Sequence, residues 1–478
     1  MELHIVIAGE KDLAGQVYRQ IRDAIQSGRL TDGEQIPPSR LLAQQLGVSR
    51  KTVSEAYTRL TLDKLLRGKI GAGTFVNIEK PHRQSAKKPA VKRNALAAAA
   101  SIERWLQHTI PFQHGTPSQY ELIGGSTSKN HFPQHEWRRC MLHGLRMSAA
   151  SAGSYAAAEG LAPLRESIAR HISFARGVRC TASDVIVTSG AQQAIDLIAR
   201  VVIEAGCMVA VEDPGYPPAR LLFSSHGASI AYVPVDEEGM LVDQIPDGTR
   251  LIYTTPAHQF PLGMPMSQRR RTALLQRAAE LGALIIEDDY DSEFRYEGRP
   301  ADSLQSMDKQ GSVVFVGTFS KIMQPGLRIG YMIAPAAIRE AIIIAKHLSD
   351  WHTSAPMQWA LNKFIDDGLL QKHIRRCHTL YSHRREKIMQ RMTTDLAPWF
   401  AIVPANAGFH LTALAQAEFD LQLLIRLARR VGIGLYSIDG FYQQAEVQQG
   451  LLLGYGAIET LDIGPAFDRI HDILREIS

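Results

Sequence analysis

Short apolar runs return at intervals through the middle of the chain. They are Asp184-Val185-Ile186-Val187, Met208-Val209-Ala210-Val211, Leu251-Ile252-Tyr253, Ala283-Leu284-Ile285-Ile286 and Val313-Val314-Phe315-Val316. Runs of this kind read as strands buried on both faces. Between them, Ala191 to Glu204 and Gln268 to Leu281 carry helical patterns. The alternation predicts an α/β fold, a mostly parallel sheet covered by helices. In such sheets ligands bind at the carboxyl ends of the strands. No internal repeat is found.

The first 78 residues follow a different pattern. Ser39 is placed to cap a short helix with Leu42, Ala43 and Leu46 inward, and Gly47 permits a tight turn. Ser49 is placed to cap a second helix whose buried face is Val53, Tyr57 and Leu60. The exposed start of that helix is Arg50-Lys51-Thr52, groups that reach phosphates or base edges. A helix end at Asp63 to Leu66 and a hairpin over Gly68 to Val76, with Gly71 and Gly73 at its tip, complete a winged helix-turn-helix. A small helical docking module is the alternative; caps, turn glycine, basic start and wing in this order favour DNA. Residues 79–94 lack apolar periodicity and read as an exposed linker, with Ala95 to Ala100 beginning a connecting helix. The predicted organisation is a DNA-binding domain over 1–78, a basic flexible linker over 79–109 and an effector domain over 110–478.

Charge adds to this division. Residues 1–78 hold 11 Lys and Arg against 8 Asp and Glu, residues 79–94 hold 6 against 1, and the remaining 384 hold 36 against 39. The positive excess in the first fifth of the chain fits a polyanionic partner, and equally a solvated basic linker. Apolar residues make up 45% of the 478 and charged residues 21%, which excludes a disordered chain. The four cysteines, Cys140, Cys180, Cys207 and Cys377, have no ligand or redox spacing, so a cytoplasmic location is expected. Met1 to Asp12 carries Glu2 and Glu10 and does not read as a signal peptide, and no apolar run is long enough to span a membrane.

The chemistry concentrates where the last apolar run ends, at Ser320-Lys321-Ile322-Met323-Gln324-Pro325-Gly326-Leu327-Arg328. One lysine, an arginine seven positions on, and hydroxyl residues nearby suit a pyridoxal 5′-phosphate pocket. Lys321 is placed to hold the aldehyde as a Schiff base, with Arg328, Ser320 and Thr318 on the phosphate. A lysine beside other cations and partly desolvated is a competent nucleophile. Alone, the string also fits a surface loop. Thr188-Ser189-Gly190-Ala191-Gln192 follows a strand and opens a helix, so the N–H groups of Ala191 and Gln192 form a phosphate seat. Tyr216, in Asp213-Pro214-Gly215-Tyr216, suits a platform under the pyridine ring or an ordinary core position. In Glu287-Asp288-Asp289-Tyr290-Asp291, consecutive acids at a buried strand end need partners. Asp288 is assigned to the protonated pyridine nitrogen, with Asp289 the alternative in register, and Tyr290 to the ring hydroxyl. No metal site is expected.

Residues 12–76 resemble the winged helix of the GntR superfamily. The resemblance places operator contacts on Arg40, Ser49, Arg50, Thr52 and Gly73, with Lys51 as a further phosphate contact. Residues 110–478 resemble a fold-type I aminotransferase. That family carries an asparagine on the ring hydroxyl near Thr255-Pro256-Ala257-His258-Gln259-Phe260-Pro261. This chain lacks it, leaving His258 or Gln259 as substitutes. Tyr155 matches the tyrosine that reaches the partner subunit's phosphate, which implies a homodimer. The whole arrangement resembles the MocR subfamily of GntR-type regulators. This implies a transcriptional regulator that binds promoter DNA and senses pyridoxal phosphate or an amino compound as effector; an active aminotransferase with an appended DNA-binding module is the alternative. One departure bears on the choice. Amino-acid aminotransferases grip the substrate carboxylate with a C-terminal arginine, and the matching stretch here is Gly450-Leu451-Leu452-Leu453-Gly454. Arg220 is a substitute anchor or an exposed helix residue.

Overall fold

The computed structural model describes residues 5–7, 9, 11–69, 72–77, 100–109, 117–128, 130–150, 154–298 and 302–477. Gly71, the 79–94 stretch and Ala95 to Ala99 lie outside these. The chain divides into two compact units, Met1–Leu96 and Ala97–Ser478. Among the described residues no helix is long and apolar enough to cross a membrane.

The N-terminal unit holds α1 (Leu13–Gln26), α2 (Ser39–Leu46) and α3 (Arg50–Leu62). A small antiparallel sheet joins β1 (Gln35–Ile36), β2 (Leu66–Lys69) and β3 (Gly73–Val76) in the order β1–β3–β2. Val17, Ile21, Leu42, Val53, Ala56 and Leu60 close its core. Ser49 caps α3 as its residue type predicts, accepting the Thr52 N–H at 3.1 Å. Ser39 does not cap α2. The chain enters that helix from Pro38 in an extended conformation, so Ser39 is already the first helical residue. Leu46 is only partly buried against this core.

The second unit is built on eight strands. In chain order these are β4 (Val185–Thr188), β5 (Met208–Asp213), β6 (Ser229–Asp236), β7 (Gly239–Met240), β8 (Thr249–Thr254), β9 (Leu284–Asp289), β10 (Val313–Thr318) and β11 (Gly330–Ile333). They lie in the order β4–β11–β10–β9–β8–β5–β6–β7. The five central strands are mutually parallel, while β11 and β7 run against their neighbours. The predicted runs thus all become strands, and β10 is buried along its whole length. The helices α4 (Ala191–Val202), α5 (Pro217–Ser225) and α6 (Gln268–Leu281) are among those that cover the sheet. A further antiparallel sheet joins β12 (Phe400–Ile402), β13 (His410–Ala415) and β14 (Gly450–Gly454). Its register sets Thr412 opposite Leu452.

The parallel strands share one carboxyl edge. Ala191, Tyr216, Thr255, Asp288 and Lys321 all come from the ends of strands or the turns just beyond them, so five separate stretches converge there. Because β11 runs the other way, the residues before it, including Arg328, reach the same edge.

Candidate active site

A cavity of about 180 Å³ opens at that edge. Lys321, Ala191, Gln192, Tyr216, Asp288, Tyr290, Thr318, Ser320 and Arg328 all line it. These residues stand up to 137 positions apart, and it is the parallel sheet that unites them.

Lys321 Nζ donates to the carbonyl of Gly125 at 2.9 Å and lies 5.9 Å from the centre of the Phe409 ring. Gly125 has φ +81°, a conformation that favours glycine, and Nζ lies 2.8 Å from where a Cβ would stand. Desolvation holds the lysine below its ordinary range, against the pull of Asp291 and Asp288; Arg328 adds repulsion. A lysine lowered in this way gives up its proton more readily than an exposed one and is the better nucleophile.

Strand β9 separates its acids by side. Asp288 faces the cavity, its Oδ2 accepting the Tyr253 hydroxyl at 2.6 Å. Asp289 points away, to Arg176 Nε at 2.6 Å. Glu287 accepts the N–H groups of Leu304 and Gln305, each at 2.9 Å. The register therefore brings Asp288, not Asp289, to the lining. Burial pushes its carboxyl up to about 7, opposed by the Tyr253 hydrogen bond. Asp288 Oδ1 is buried and has no protein partner among the described residues.

The other end of the cavity gathers donors. α4 begins at Ala191 directly after Gly190, whose φ of +93° is left-handed. A Cβ on Gly190 would lie 3.0 Å from Arg328 Nη2, so a glycine lets the guanidinium approach the helix start. Arg328 Nη2 donates to the Ser189 carbonyl at 2.9 Å. The first N–H groups of α4 have no intrahelical acceptor, and the buried Ser320 Oγ has no protein partner. A buried carboxyl oxygen without a donor at one end and unmatched donors at the other fit a group that is cationic at one end and phosphorylated at the other. Pyridoxal phosphate has that form.

Three candidate residues lie elsewhere. His258 does not line the cavity. It is enclosed behind Tyr290, with Nδ1 3.0 Å from Tyr290 Oη and 3.0 and 3.1 Å from the two oxygens of Asp291. Gln259 is turned inward as well, donating to the Pro214 carbonyl at 2.8 Å. The extended turn presents Phe260 to the cavity instead. Tyr155 is 73% exposed and packs on Trp351 at 4.3 Å between ring centres, outside the cavity of its own chain.

Sequence reasoning passed over Gly125, Tyr253, Phe260, Phe409 and His410, all in the lining. Tyr253 carried a signal: it stands one residue before the end of β8, beside β9 in parallel register. Gly125 and His410 carried none, because the stretches that hold them come from outside the alternating region. His258, Asp291 and His410 offer ligand-type atoms within 4.8 Å of one another. Asp291 and Tyr290 already share His258 Nδ1, while His410 Nε2 lies 3.2 Å from the Pro261 carbonyl, so these atoms are engaged in protein hydrogen bonds.

The cavity continues into a mouth of about 720 Å³, which shares Gly125, Tyr216, Phe260, Lys321 and Pro325 with it. Leu452 of β14 lines this mouth together with Arg220 and Phe441. Arg220 Nη1 donates to Gln443 at 3.0 Å, while its Nε is buried without a partner.

In the N-terminal unit, Arg40, Ser49, Arg50, Lys51 and Gly73 are exposed and Thr52 is half-buried. Arg50, Lys51 and Thr52 form the first turn of α3, and Gly73 opens β3. The structure thus gives a short basic helix start and a two-stranded wing within one small unit.

Residues 126–447 match the family model of aminotransferase class I and II, and residues 13–76 match that of bacterial regulatory proteins, gntR family. The probable rhizopine catabolism regulatory protein MocR of Rhizobium meliloti is 32% identical over 93% of this chain and 90% of its own. The pyridoxine biosynthesis transcriptional regulator PdxR of Corynebacterium glutamicum is 31% identical over 97% and 94%. Among solved structures, the kynurenine aminotransferase of Pyrococcus horikoshii superposes with a TM-score of 0.69 at 28% identity. That match covers 76% of this chain and 92% of the other.

Proposed function

We propose, for a chain that belongs to the MocR subfamily of GntR-type regulators, that its two units divide sensing from DNA recognition. The N-terminal winged helix binds promoter DNA through Arg40, Ser49, Arg50, Thr52 and Gly73, with Lys51 on a phosphate. The aminotransferase-like unit holds pyridoxal phosphate on Lys321 and reads an effector, either the cofactor itself or an amino compound.

Within that reading the lining residues predicted from sequence divide the tasks. Asp288 faces the pyridine nitrogen and Tyr216 the ring. Ala191, Gln192, Thr318, Ser320 and Arg328 hold the phosphate, and Tyr290 faces the ring oxygen. Bound, the cofactor supplies an aldehyde carbon and an electron-withdrawing ring. The protein supplies orientation and a counter-charge. The unpartnered Oδ1 of Asp288 supports this assignment, since a buried acid oxygen needs a donor. The exposed Tyr155 is offered to a second copy of the chain, which makes the working unit a homodimer.

Leu452 is the observation that carries regulation over turnover. It lines the mouth, at the position that the resemblance to aminotransferases gives to the arginine gripping an α-carboxylate, and a leucine offers no donor. Ordinary α-amino acids are therefore bound weakly, and catalysis on them is at most slow. The test joins three measurements on one preparation: the visible absorbance of the lysine-linked cofactor, binding to the chain's own upstream DNA with and without pyridoxal phosphate, and turnover of amino donors. Rapid transamination, with DNA binding that no ligand alters, would establish the enzyme reading in its place.

A further inference from the structure

Asp291, His258 and Tyr290 form a chain of contacts that the cofactor roles above leave unused. His258 and Asp291 are both 1% exposed, behind the wall of the cavity. His258 Nδ1 lies 3.0 Å from Asp291 Oδ2 and 3.0 Å from Tyr290 Oη. A carboxylate accepts hydrogen bonds and does not donate them. The proton in the Asp291 contact therefore sits on Nδ1. Nε2, which has no protein partner among the described residues, then carries a lone pair instead of an N–H in need of an acceptor. Tyr290 Oη receives its share of the Nδ1–H, so the tyrosine cannot give its own proton to His258. Tyr290 also lines the cavity, and the cavity is the direction left for that proton.

We propose that Asp291 and His258 are positioning residues that fix the direction of the Tyr290 hydroxyl proton, so that Tyr290 donates to the ring oxygen of a pyridoxal-type cofactor. The proposal rests on the cofactor reading above. Packing makes the imidazole rigid. A side chain on Gly408 would collide with both the His258 ring and Asp291, and one on Gly263 would lie 3.2 Å from Nε2. The His410 ring packs against His258 at 4.6 Å between centres, with its own Nε2 3.2 Å from the Pro261 carbonyl. Asp291, Asp288, Glu212 and Asp289 surround Tyr290 with negative charge, and burial, the largest cause, holds its hydroxyl well above the ordinary range. The tyrosine thus remains a donor throughout the neutral pH region. Lys321 and His258 bear on His410, whose imidazole is held well below its usual range, chiefly by burial. The phenylalanine that stands in the turn after Gln259 has no donor to give, so Tyr290 carries the hydrogen bond to the ring oxygen.

The full chain loaded with pyridoxal phosphate provides the test, read as the pH titration of its visible band. A hydrogen bond donated to the ring oxygen withdraws negative charge from it and weakens its hold on the proton of the lysine-linked nitrogen. Losing that bond raises the titration midpoint. Tyr290→Phe and His258→Leu are each expected to raise it by about one pH unit, the scale of one hydrogen bond to a charged group. The double variant should move no further than Tyr290→Phe alone, because both changes remove the same interaction. Asp291→Leu removes both oxygens that face Nδ1 and, with them, a negative charge that favours the lysine's proton. The charge effect lowers the midpoint in any background, so the positioning role is read as a difference: Asp291→Leu should lower the midpoint further when combined with Tyr290→Phe than when made alone. This comparison carries the test if His258→Leu does not fold. An equal shift from Asp291→Leu in both backgrounds, or an additive shift when His258→Leu is combined with Tyr290→Phe, overturns the positioning role. A wild-type protein with no visible band at any pH overturns the cofactor reading instead.

Discussion

Asp288 makes the empty protein sensitive to pH in a way that the cofactor should reverse. Its carboxyl is pushed up to about 7 from an ordinary 3.8, chiefly by burial; the Tyr253 hydroxyl opposes the shift and Asp289 adds to it. In protein stripped of cofactor, the folded chain keeps a proton on Asp288 that the unfolded chain has released. The folded state then binds more protons between those two values, so stability declines as pH rises through that window and levels off above about 7. The gap corresponds to about 4 kcal/mol once both values are passed. Asp288→Asn keeps the shape and an oxygen for Tyr253 but has no charge to desolvate. Cofactor-free Asp288→Asn should therefore melt several degrees above cofactor-free wild type at pH 8, with the gap narrowing towards pH 4. Saturating pyridoxal phosphate should reverse the order at pH 8, because the wild-type carboxylate gains a cationic partner. Differential scanning fluorimetry on both forms across this range measures it. Parallel melting curves for the two cofactor-free proteins at every pH would refute the reasoning, since they would mean that Asp288 is not desolvated.

Other outcomes follow from the same geometry. Lys321→Ala should abolish the visible band, and a persistent, borohydride-reducible band in the variant would place the Schiff base on another residue. Arg50→Ala should weaken operator binding by about 1–3 kcal/mol and relax base preference at one position, measured by fluorescence anisotropy. Lys51→Ala should weaken all sequences alike and lower the salt dependence, and a base-selective loss would count against a phosphate contact. Leu452→Arg should restore a carboxylate grip in the mouth, seen as a larger spectral change with α-amino acids; an unchanged response would remove Leu452 as the selective residue.

Much of this arrangement was legible in the chain, for reasons that differ by element. The strands of the large sheet are buried on both faces, so their apolar runs stand out without any knowledge of pairing. Lys321, Asp288 and the start of α4 were found because each follows such a run, and the carboxyl edge is where a parallel sheet places its ligands. The choice between Asp288 and Asp289 was open in sequence, since either could end the strand facing the cavity. Only the register resolves it, with Asp289 committed to Arg176 across 113 positions of chain. His258 shows the opposite limit. Its residue type suits a ring contact and it stands in the turn where one is expected, yet the turn presents Phe260 and buries the histidine against Asp291. A backbone turn of irregular geometry has no period, so nothing in the residue order says which side chain faces in. The same holds for Leu452 and His410. They reach the site from the β12–β13–β14 sheet, whose placement depends on contacts far apart in sequence, and those contacts determine whether a leucine there is core or specificity. For Leu452 it is both: 5% exposed, packed among Leu262, Met264 and Phe441, and still the surface a ligand meets at the mouth. A residue held that firmly is a fixed apolar wall, so the selectivity against carboxylates proposed for it would be built into the fold and would not wait on a conformational change.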